Sequence, residues 1–152
     1  MSEQPPSPPR LLLDTAVPLL AVGGGHPAKE ACARVLALAA DGAIEAVAST
    51  EMIQEFVFHR LRRNSDPAAA AAEGRDLAEL VTLAPFDGAV LAESLRLAEL
   101  AQARGRDAVH AATAICLGLD AIVSPDRDFD SVRGLARVDP ADVPEFVAAG
   151  RP

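Results

Sequence analysis

The sequence predicts an α/β fold, a sandwich of helices around a mostly parallel central sheet. Short apolar runs that suit buried strands alternate along the chain with longer stretches of helical periodicity. A length of 152 residues suits one compact domain. Half of the residues are hydrophobic and 24% are charged, which is the balance of a globular protein.

The first half of the chain predicts a tail followed by alternating strands and helices. Residues 1–9 are polar and rich in proline and predict a disordered tail ahead of a single domain at 10–150. The local signals are an apolar run that ends at an acid, a glycine break, a proline that can open a helix, and a capping serine or threonine. They predict a strand at 10–14, a helix from 15 broken by glycines 23–25, a helix at 27–40, a strand at 44–48 and a helix at 50–62.

The second half continues the alternation. Its signals are a helix-prone alanine run, an aspartate that can cap, a stretch of small apolar residues and further short apolar runs. They predict a helical segment at 68–72, a short strand at 81–83, an amphipathic helix from Asp87 to about 103 ended by Gly105, an apolar helix opened by Asp107, a buried strand at 121–123, a last strand at 135–138 and a closing helix at 139–149.

Composition and charge exclude several classes of protein. The formal net charge is −8, and aromatic residues are only 3%, without Trp or Tyr, so neither a basic nucleic-acid surface nor an extended base-stacking platform is expected. No apolar run approaches the roughly 20 residues that span a membrane, and the polar N-terminus does not resemble a secretion signal. Cys32 and Cys116 lack zinc-site spacing and predict two buried, reduced thiols. A cytoplasmic protein with no membrane partner is expected.

Carboxylates recur where an α/β sheet gathers ligand chemistry. Asp14 ends the first strand, Asp126 and Asp128 follow the strand at 121–123, Asp107 begins a helix, and Glu55 lies on or beside an apolar helical stripe. The carboxyl ends of parallel strands meet at one edge of a sheet, so Asp14 and Asp126 are expected to project there. Taken singly, each acid also has a structural role open to it: helix cap for Asp14 and Asp107, turn residue for Asp126, solvated helix position for Glu55.

Several carboxylates in one pocket imply a cation. Four or five such groups repel each other unless a cation compensates them, and oxygen ligands without His or Cys favour Mg²⁺ or Mn²⁺. Such a site suits metal-assisted attack of water on a phosphodiester. The sequence lacks a Gly-Lys-Ser/Thr phosphate loop and a G-x-S-x-G elbow, and its only lysine, Lys29, is poorly placed to hold a phosphoryl group. Its three histidines are scattered, and a packing or surface role is favoured for His110 over ligation.

Four segments in this order resemble a PIN domain. They are Leu13-Asp14-Thr15, then Ser49 followed six residues later by Glu55, then DAVHAATA at 107–114, then VSPDRDF at 123–129. The size and single-domain layout are similar to those of VapC-type toxins of bacterial toxin–antitoxin pairs. The resemblance covers about residues 10–140, and Pro125 and the proline-rich extension depart from the pattern without touching the acids.

The resemblance implies a three-layer α/β/α PIN-like fold and a Mg²⁺- or Mn²⁺-dependent endoribonuclease that cleaves RNA with a metal-activated water. By position, Asp14, Glu55, Asp107 and Asp126 match the catalytic, metal-binding acids, and Asp128 matches an additional acid found in many members. Thr15 and Ser124 match supporting hydroxyl positions. The resemblance also implies a homodimer and a cognate antitoxin whose tail blocks the site.

Arginines near the acids are candidates for RNA contacts. Arg60, Arg62 and Arg63 follow Glu55 at the end of its helix, and Arg127 lies between two site acids. Arginine suits bidentate phosphate contacts, although arginines in a last helical turn are also ordinary partners of the helix dipole. Two other functions stay open: an RNA-processing nuclease of the same family without an antitoxin, and a catalytically idle interaction module of the same shape.

Overall fold

A computed structural model describes residues 7–150 of the chain. A five-stranded sheet forms its centre, in the order β3-β2-β1-β4-β5, with each pair of neighbouring strands parallel. The strands are β1 (Arg10–Leu13), β2 (Glu45–Ser49), β3 (Thr82–Ala84), β4 (Ala121–Val123) and β5 (Arg137–Val138). The predicted α/β architecture is confirmed.

Helices cover both faces of the sheet, which completes the three layers. In the described part of the chain they are α1 (Ala16–Val22), α2 (Lys29–Ala40), α3 (Thr50–Asn64), α4 (Pro67–Leu80), α5 (Gly88–Glu99), α6 (Gly105–Cys116) and α7 (Val143–Ala148). Over residues 7–150, none of these helices has the length and apolarity needed to cross a membrane.

Side chains of the central strands alternate between two hydrophobic clusters. Leu11 and Leu13 of β1 pack with residues of α1, α2, α3, α4 and α7, whereas Leu12 packs with residues of α5 and α6. All three leucines are fully buried. A strand that is buried on both faces reads as a continuous apolar run, which is why β1 was predictable.

The boundary between α5 and α6 differs from the prediction. The helix predicted to reach about residue 103 ends at Glu99, because the Gln102 N–H donates to the Leu97 carbonyl and the Ala101 N–H donates to the Ala98 carbonyl. This is a Schellman ending, with Ala101 at φ 55° in the left-handed position that glycine usually occupies. Gly105, predicted to end the preceding helix, instead begins α6.

Smaller differences follow from turns and prolines. Residues 127–131 form a 3₁₀ turn, and β5 is two residues long rather than the four predicted. The predicted closing helix is split into a 3₁₀ turn at Pro140–Asp142 and α7, since a proline opens each piece and cannot continue a helix. Cys32 is buried as expected, but Cys116 is exposed, because the chain leaves the core at the end of α6.

The proline-rich tail is described only in part. Residues 7–9 carry no regular secondary structure, and the Pro9 carbonyl accepts the Glu45 N–H at 2.9 Å. The remainder of the predicted disordered tail, residues 1–6, lies outside the described residues.

Candidate active site

Two neighbouring strands end at a pair of polar residues joined by a hydrogen bond. Asp14 follows β1 and Ser124 follows β4, and the Ser124 hydroxyl donates to Oδ2 of Asp14 at 2.7 Å. The same hydroxyl oxygen accepts the Asp126 N–H at 3.0 Å. Ser124 is fully buried and Asp14 is 7% exposed. Ser124 therefore connects the two aspartates that the sequence assigned to this edge of the sheet.

Asp107 approaches this edge from the first turn of α6. Burial raises the pKa of Asp107, and the nearby charges of Asp14, Asp126 and Glu55 raise it further, while His110 lowers it. Burial also raises the pKa of Asp14, although the hydrogen bond from Ser124 acts in the opposite direction. The four acids therefore share one electrostatic environment, which we call the acidic pocket.

The cap role that was open to Asp14 and Asp107 is absent, whereas the turn role that was open to Asp126 is present. The residues that precede α1 and α6 are Thr15 and Arg104, so neither Asp14 nor Asp107 occupies a cap position. Asp126 does cap the 3₁₀ turn, because its Oδ1 accepts the Asp128 N–H at 2.9 Å. The turn role expected for Asp126 is thus present together with its place beside Ser124.

Glu55 of α3 has polar contacts with Thr15, His110 and Arg106, and His59 Nε2 lies 3.7 Å from its Oε1. The Thr15 hydroxyl donates to Oε2 at 2.9 Å, His110 Nε2 lies 3.4 Å from the same oxygen, and an Arg106 nitrogen lies 3.4 Å from Oε1. The hydrogen bond from His110 is the largest of the effects that lower the pKa of Glu55 to about 2, with further lowering by Thr15 and Arg106 against an opposing effect of burial. Glu55 is therefore an anion whose charge is already balanced, unlike Asp14 and Asp107.

His110 is a site residue whose contacts the sequence did not predict. It is 1% exposed, so the packing role is confirmed, but its two ring nitrogens also meet polar groups. Nε2 lies 3.1 Å from the Thr15 hydroxyl and Nδ1 lies 3.3 Å from the Ser49 hydroxyl. Ser49 in turn caps α3 by accepting the Met52 N–H. The available signal was the spacing, since His110 lies three residues after Asp107 on one helix and therefore on the same side.

Arg137 is a second residue that the sequence assigned only to a strand. Its Nη1 donates to the Ser124 carbonyl at 2.9 Å, and its Nε donates to Asp130 at 2.8 Å. The Arg137 side chain is 12% exposed. It fixes the backbone where β4 ends, which is the position that carries the Ser124 hydroxyl.

Asp128 lies at the rim. It is exposed, and it lines a small cavity of about 170 Å³ together with Asp107, Arg104 and Phe129. Asp128 and Asp107 therefore line the same cavity, and the Asp128 backbone N–H donates a hydrogen bond to Oδ1 of Asp126.

The carboxylates lie around the acidic pocket but do not converge on a single position. Within residues 7–150, no group of three or more His, Cys, Asp or Glu side chains is arranged to hold a metal ion. The donors are nonetheless hard oxygen atoms, and two of the carboxylates have pKa values raised by burial. Ligation by Asp14, Asp107, Asp126 and Asp128 stays a prediction.

The four arginines predicted to contact RNA are in different situations. Arg60 forms a two-pronged pair with Glu73 of α4, so its guanidinium joins two helices. Arg62 lies over the Phe58 ring, at 5.6 Å from the centroid, and Arg63 lines an adjoining cavity of about 280 Å³. Arg127 is exposed on the 3₁₀ turn.

Comparison with known proteins identifies the relatives of this chain. The PIN domain family model matches residues 11–135. A curated relative, Ribonuclease VapC7 of Mycobacterium tuberculosis, is 36% identical over 138 residues, which cover 86% of this chain and 91% of that protein.

Solved structures share the fold at lower sequence identity. VapC20 of Mycobacterium tuberculosis, described as a sarcin–ricin loop cleaving toxin, matches with a TM-score of 0.67 at 20% identity, over 86% of this chain and 99% of that one. FitAcB of Neisseria gonorrhoeae matches with a TM-score of 0.67 at 22% identity, over 86% and 97% of the two chains. DNA-bound VapBC of Salmonella typhimurium matches with a TM-score of 0.65 at 16% identity, over 87% and 98%.

Proposed function

The chain belongs to the PIN domain family, and from this we propose that it is a divalent-metal-dependent endoribonuclease and the toxin of a toxin–antitoxin pair. The carrying observation is that acids from separate parts of the chain lie close together: the Ser124 hydroxyl bonds both Asp14 and the Asp126 N–H, and the charges of Asp14, Asp126 and Glu55 raise the pKa of Asp107. The ribonuclease name of the relative from Mycobacterium tuberculosis and the toxin–antitoxin complexes among the similar structures support the proposal.

The donor set of the acidic pocket fits Mg²⁺ or Mn²⁺. Its oxygens are hard ligands, and the raised pKa values of Asp14 and Asp107 mark negative charge that a cation would compensate. Asp14, Asp107 and Asp126 would hold the ion, with Asp128 at the rim. When bound, a divalent ion supplies Lewis-acid stabilisation of a phosphodiester and a lowered pKa for water.

The other residues of the site position these acids. Ser124 orients Asp14 through the 2.7 Å hydrogen bond, and Thr15 together with His110 orients Glu55. Arg106 is half exposed beside Glu55 and has more N–H groups than that contact uses, so it can also bind an RNA phosphate. The protein therefore provides positioned anions at the centre and guanidinium donors at the mouth.

Family membership also supports the expected partners. A cognate antitoxin, a homodimer and a cytoplasmic location belong to the same proposal. Co-expression with the product of a small neighbouring gene, followed by co-purification, tests the antitoxin. If the chain cleaves RNA but no such partner co-purifies with it, a processing nuclease of the same family is favoured.

Cleavage of total cellular RNA tests the catalytic proposal directly. The wild type is expected to cleave in Mg²⁺ and to stop in EDTA, whereas Asp14→Asn should lose roughly a hundredfold or more in rate because a charged ligand is removed while the shape is kept. The matched control is Asp142→Asn, an exposed aspartate near α7 that should cleave like the wild type. Equal rates for the wild type and Asp14→Asn would contradict the assignment.

Thermal unfolding with and without Mn²⁺ separates this proposal from a second candidate, an idle interaction module. That candidate is favoured by the absence, within residues 7–150, of a ready-made cluster of three ligands. For a nuclease, Mn²⁺ at a hundred times its dissociation constant should raise the wild-type midpoint by roughly 5–10 °C. Asp14→Asn should lack this response and, without metal, should melt above the wild type at neutral pH because a buried charge is gone.

A further inference from the structure

Phe58 is an aromatic ring at the surface, close to the acidic pocket. It lies on α3, three residues after Glu55, so the two side chains are neighbours on the same side of the helix. The chain has only five phenylalanines, and Phe56 and Phe129 are in the core. Phe58, in contrast, is 47% exposed.

The ring of Phe58 is flanked by two cationic or polar side chains. The Arg62 guanidinium carbon lies over the ring, 5.6 Å from its centroid. The His59 ring meets Phe58 edge-on, with centroids 5.7 Å apart and planes 70° apart. A cation over an aromatic face is attractive, so Arg62 both orients the ring and adds positive charge beside it.

A small cavity connects this ring to the acidic pocket. It has a volume of about 230 Å³ and is lined by Glu51, Gln54, Glu55, Phe58 and Arg106. Clefts that hold drug-sized ligands are larger, about 300–1,000 Å³, so this one suits a single flat group. Gln54 offers both a donor and an acceptor for the edge of such a group, and Arg106 offers N–H donors.

We propose that Phe58 stacks on one nucleobase of a single-stranded RNA segment that flanks the acidic pocket, with Arg62 and Arg106 contacting the adjoining phosphates; this rests on the proposed ribonuclease function. Stacking on an exposed ring between arginines is a general mode of binding single strands, and it tolerates any base because every base has a π-face. Leu61, three residues further along α3, is also exposed at 38%, but the side chains that line the cavity beside Phe58 are polar or charged, which suits a base and its phosphates better than an apolar protein partner.

Fluorescence tests stacking without catalysis. The chain contains no Trp or Tyr, so Phe58→Trp introduces a single reporter at the proposed position. A mixed-sequence oligoribonucleotide of twelve residues, titrated in EDTA, is expected to quench this Trp by stacking. The control is Phe86→Trp at another exposed phenylalanine, 39% exposed beyond β3, which should not respond. No quenching at position 58, or equal quenching at both positions, would overturn the proposal.

Kinetics then test the role in substrate binding. Phe58→Leu keeps apolar bulk but removes the π-face, so KM for an oligoribonucleotide spanning a mapped cleavage site should rise about tenfold while kcat changes little. Phe86→Leu should behave like the wild type. An abasic nucleotide at the stacked position should impair the wild type but add no penalty in Phe58→Leu. Circular dichroism melts should match, because exposed substitutions rarely change stability.

The outcomes distinguish failure of this inference from failure of the proposed function. If the wild type does not cleave RNA, the nuclease proposal fails, and quenching of Phe58→Trp still decides the stacking. If the wild type cleaves and Phe58→Leu has an unchanged KM, only the stacking proposal is wrong. If Phe58→Leu loses binding to a protein partner while its RNA kinetics are unchanged, Phe58 belongs to a protein interface and the stacking proposal is also wrong.

Discussion

Glu55 and Asp14 carry the same charge in the same pocket, yet their surroundings shift their pKa values in opposite directions. Hydrogen bonds from His110 and Thr15, together with the positive charge of Arg106, lower the pKa of Glu55 to about 2. Burial raises the pKa of Asp14, and Ser124 compensates it only in part. The charge of Glu55 is therefore balanced by the protein itself, whereas the charge of Asp14 is compensated only in part.

Glu55 and Asp14 should change the free energy of unfolding in opposite directions as the pH changes. The lowered pKa of Glu55 gives stability that is complete above its unfolded value of 4.5 and is lost as the pH falls toward about 2. The full contribution of Glu55 to the free energy of unfolding is on the order of 3 kcal/mol. The raised pKa of Asp14 has the opposite sign, so its contribution is favourable at low pH and declines as the pH rises through the folded value.

Urea unfolding in EDTA between pH 3 and pH 7 checks this prediction. Glu55→Gln should be less stable than the wild type at pH 7 and should approach it as the pH falls toward 3. Asp14→Asn should be more stable than the wild type at pH 7, and that advantage should shrink in acid. If the free energies of unfolding of all three proteins changed in parallel with pH, the environments assigned to Glu55 and Asp14 would be wrong.

At the scale of single residues, the sequence predicted where the carboxylates lie better than it predicted the side chains that contact them. Asp14 and Asp126 were predictable because strand ends of a parallel sheet converge. The contacts of His110 and Arg137 were not, since each joins residues from distant parts of the chain and depends on side-chain directions that no local pattern encodes.

The α3–α4 pair depends on a close approach at Gly74. A Cβ added to Gly74 would meet Cγ2 of Val57 well inside van der Waals contact. The Arg60–Glu73 pair joins the same two helices beside this contact. Close packing, rather than backbone freedom, therefore explains a glycine in the middle of α4.

Gly74→Ala should destabilise the protein even though alanine is the better helix former. The helix gains about 1 kcal/mol from the substitution, but overpacking typically costs about 1–3 kcal/mol. In a Val57→Ala background the same change should cost less, or stabilise, because the colliding methyl is absent. Denaturant titration of both single variants and the double variant measures this coupling, and strictly additive effects would rule it out.

Element types were predictable, whereas several boundaries were not. Alternating apolar runs and caps such as Ser49 and Asp87 identify strands and helices locally. The end of α5 was not predicted correctly, because Ala101 adopts a left-handed conformation that is typical of glycine and not of alanine. The order of strands in the sheet was likewise beyond local patterns, since it depends on pairing between distant segments.

For the molecule as a whole, the net charge of −8 should make salt act in opposite ways on folding and on RNA binding. Salt screens the repulsion among carboxylates, so the metal-free protein should melt at a higher temperature in 150 mM than in 10 mM salt. RNA binding should weaken instead, with a logarithmic slope of about −0.7 for each phosphate contacted on a single strand.

Replacing Arg62 and Arg63 together by alanine should flatten that slope by about 1.4 if each contacts one phosphate. The control is Arg75→Ala, at an exposed arginine on α4 that belongs to neither the acidic pocket nor the cavity beside Phe58 as described above. Filter binding in EDTA over a salt series gives the slopes. An identical slope for the double variant and the wild type would remove these arginines from the RNA interface.

The hydrogen bond between Ser124 and Asp14 spans 110 positions of sequence, since β4 inserts beside β1 only after most of the polypeptide exists. A product whose translation ends or shifts frame before residue 126 lacks Asp126, one of the four acids of the acidic pocket. During synthesis, a growing chain therefore has no complete set of acids until nearly five sixths of it has been made. Whatever chemistry the acidic pocket performs, only products that extend past residue 126 contain all of its acids.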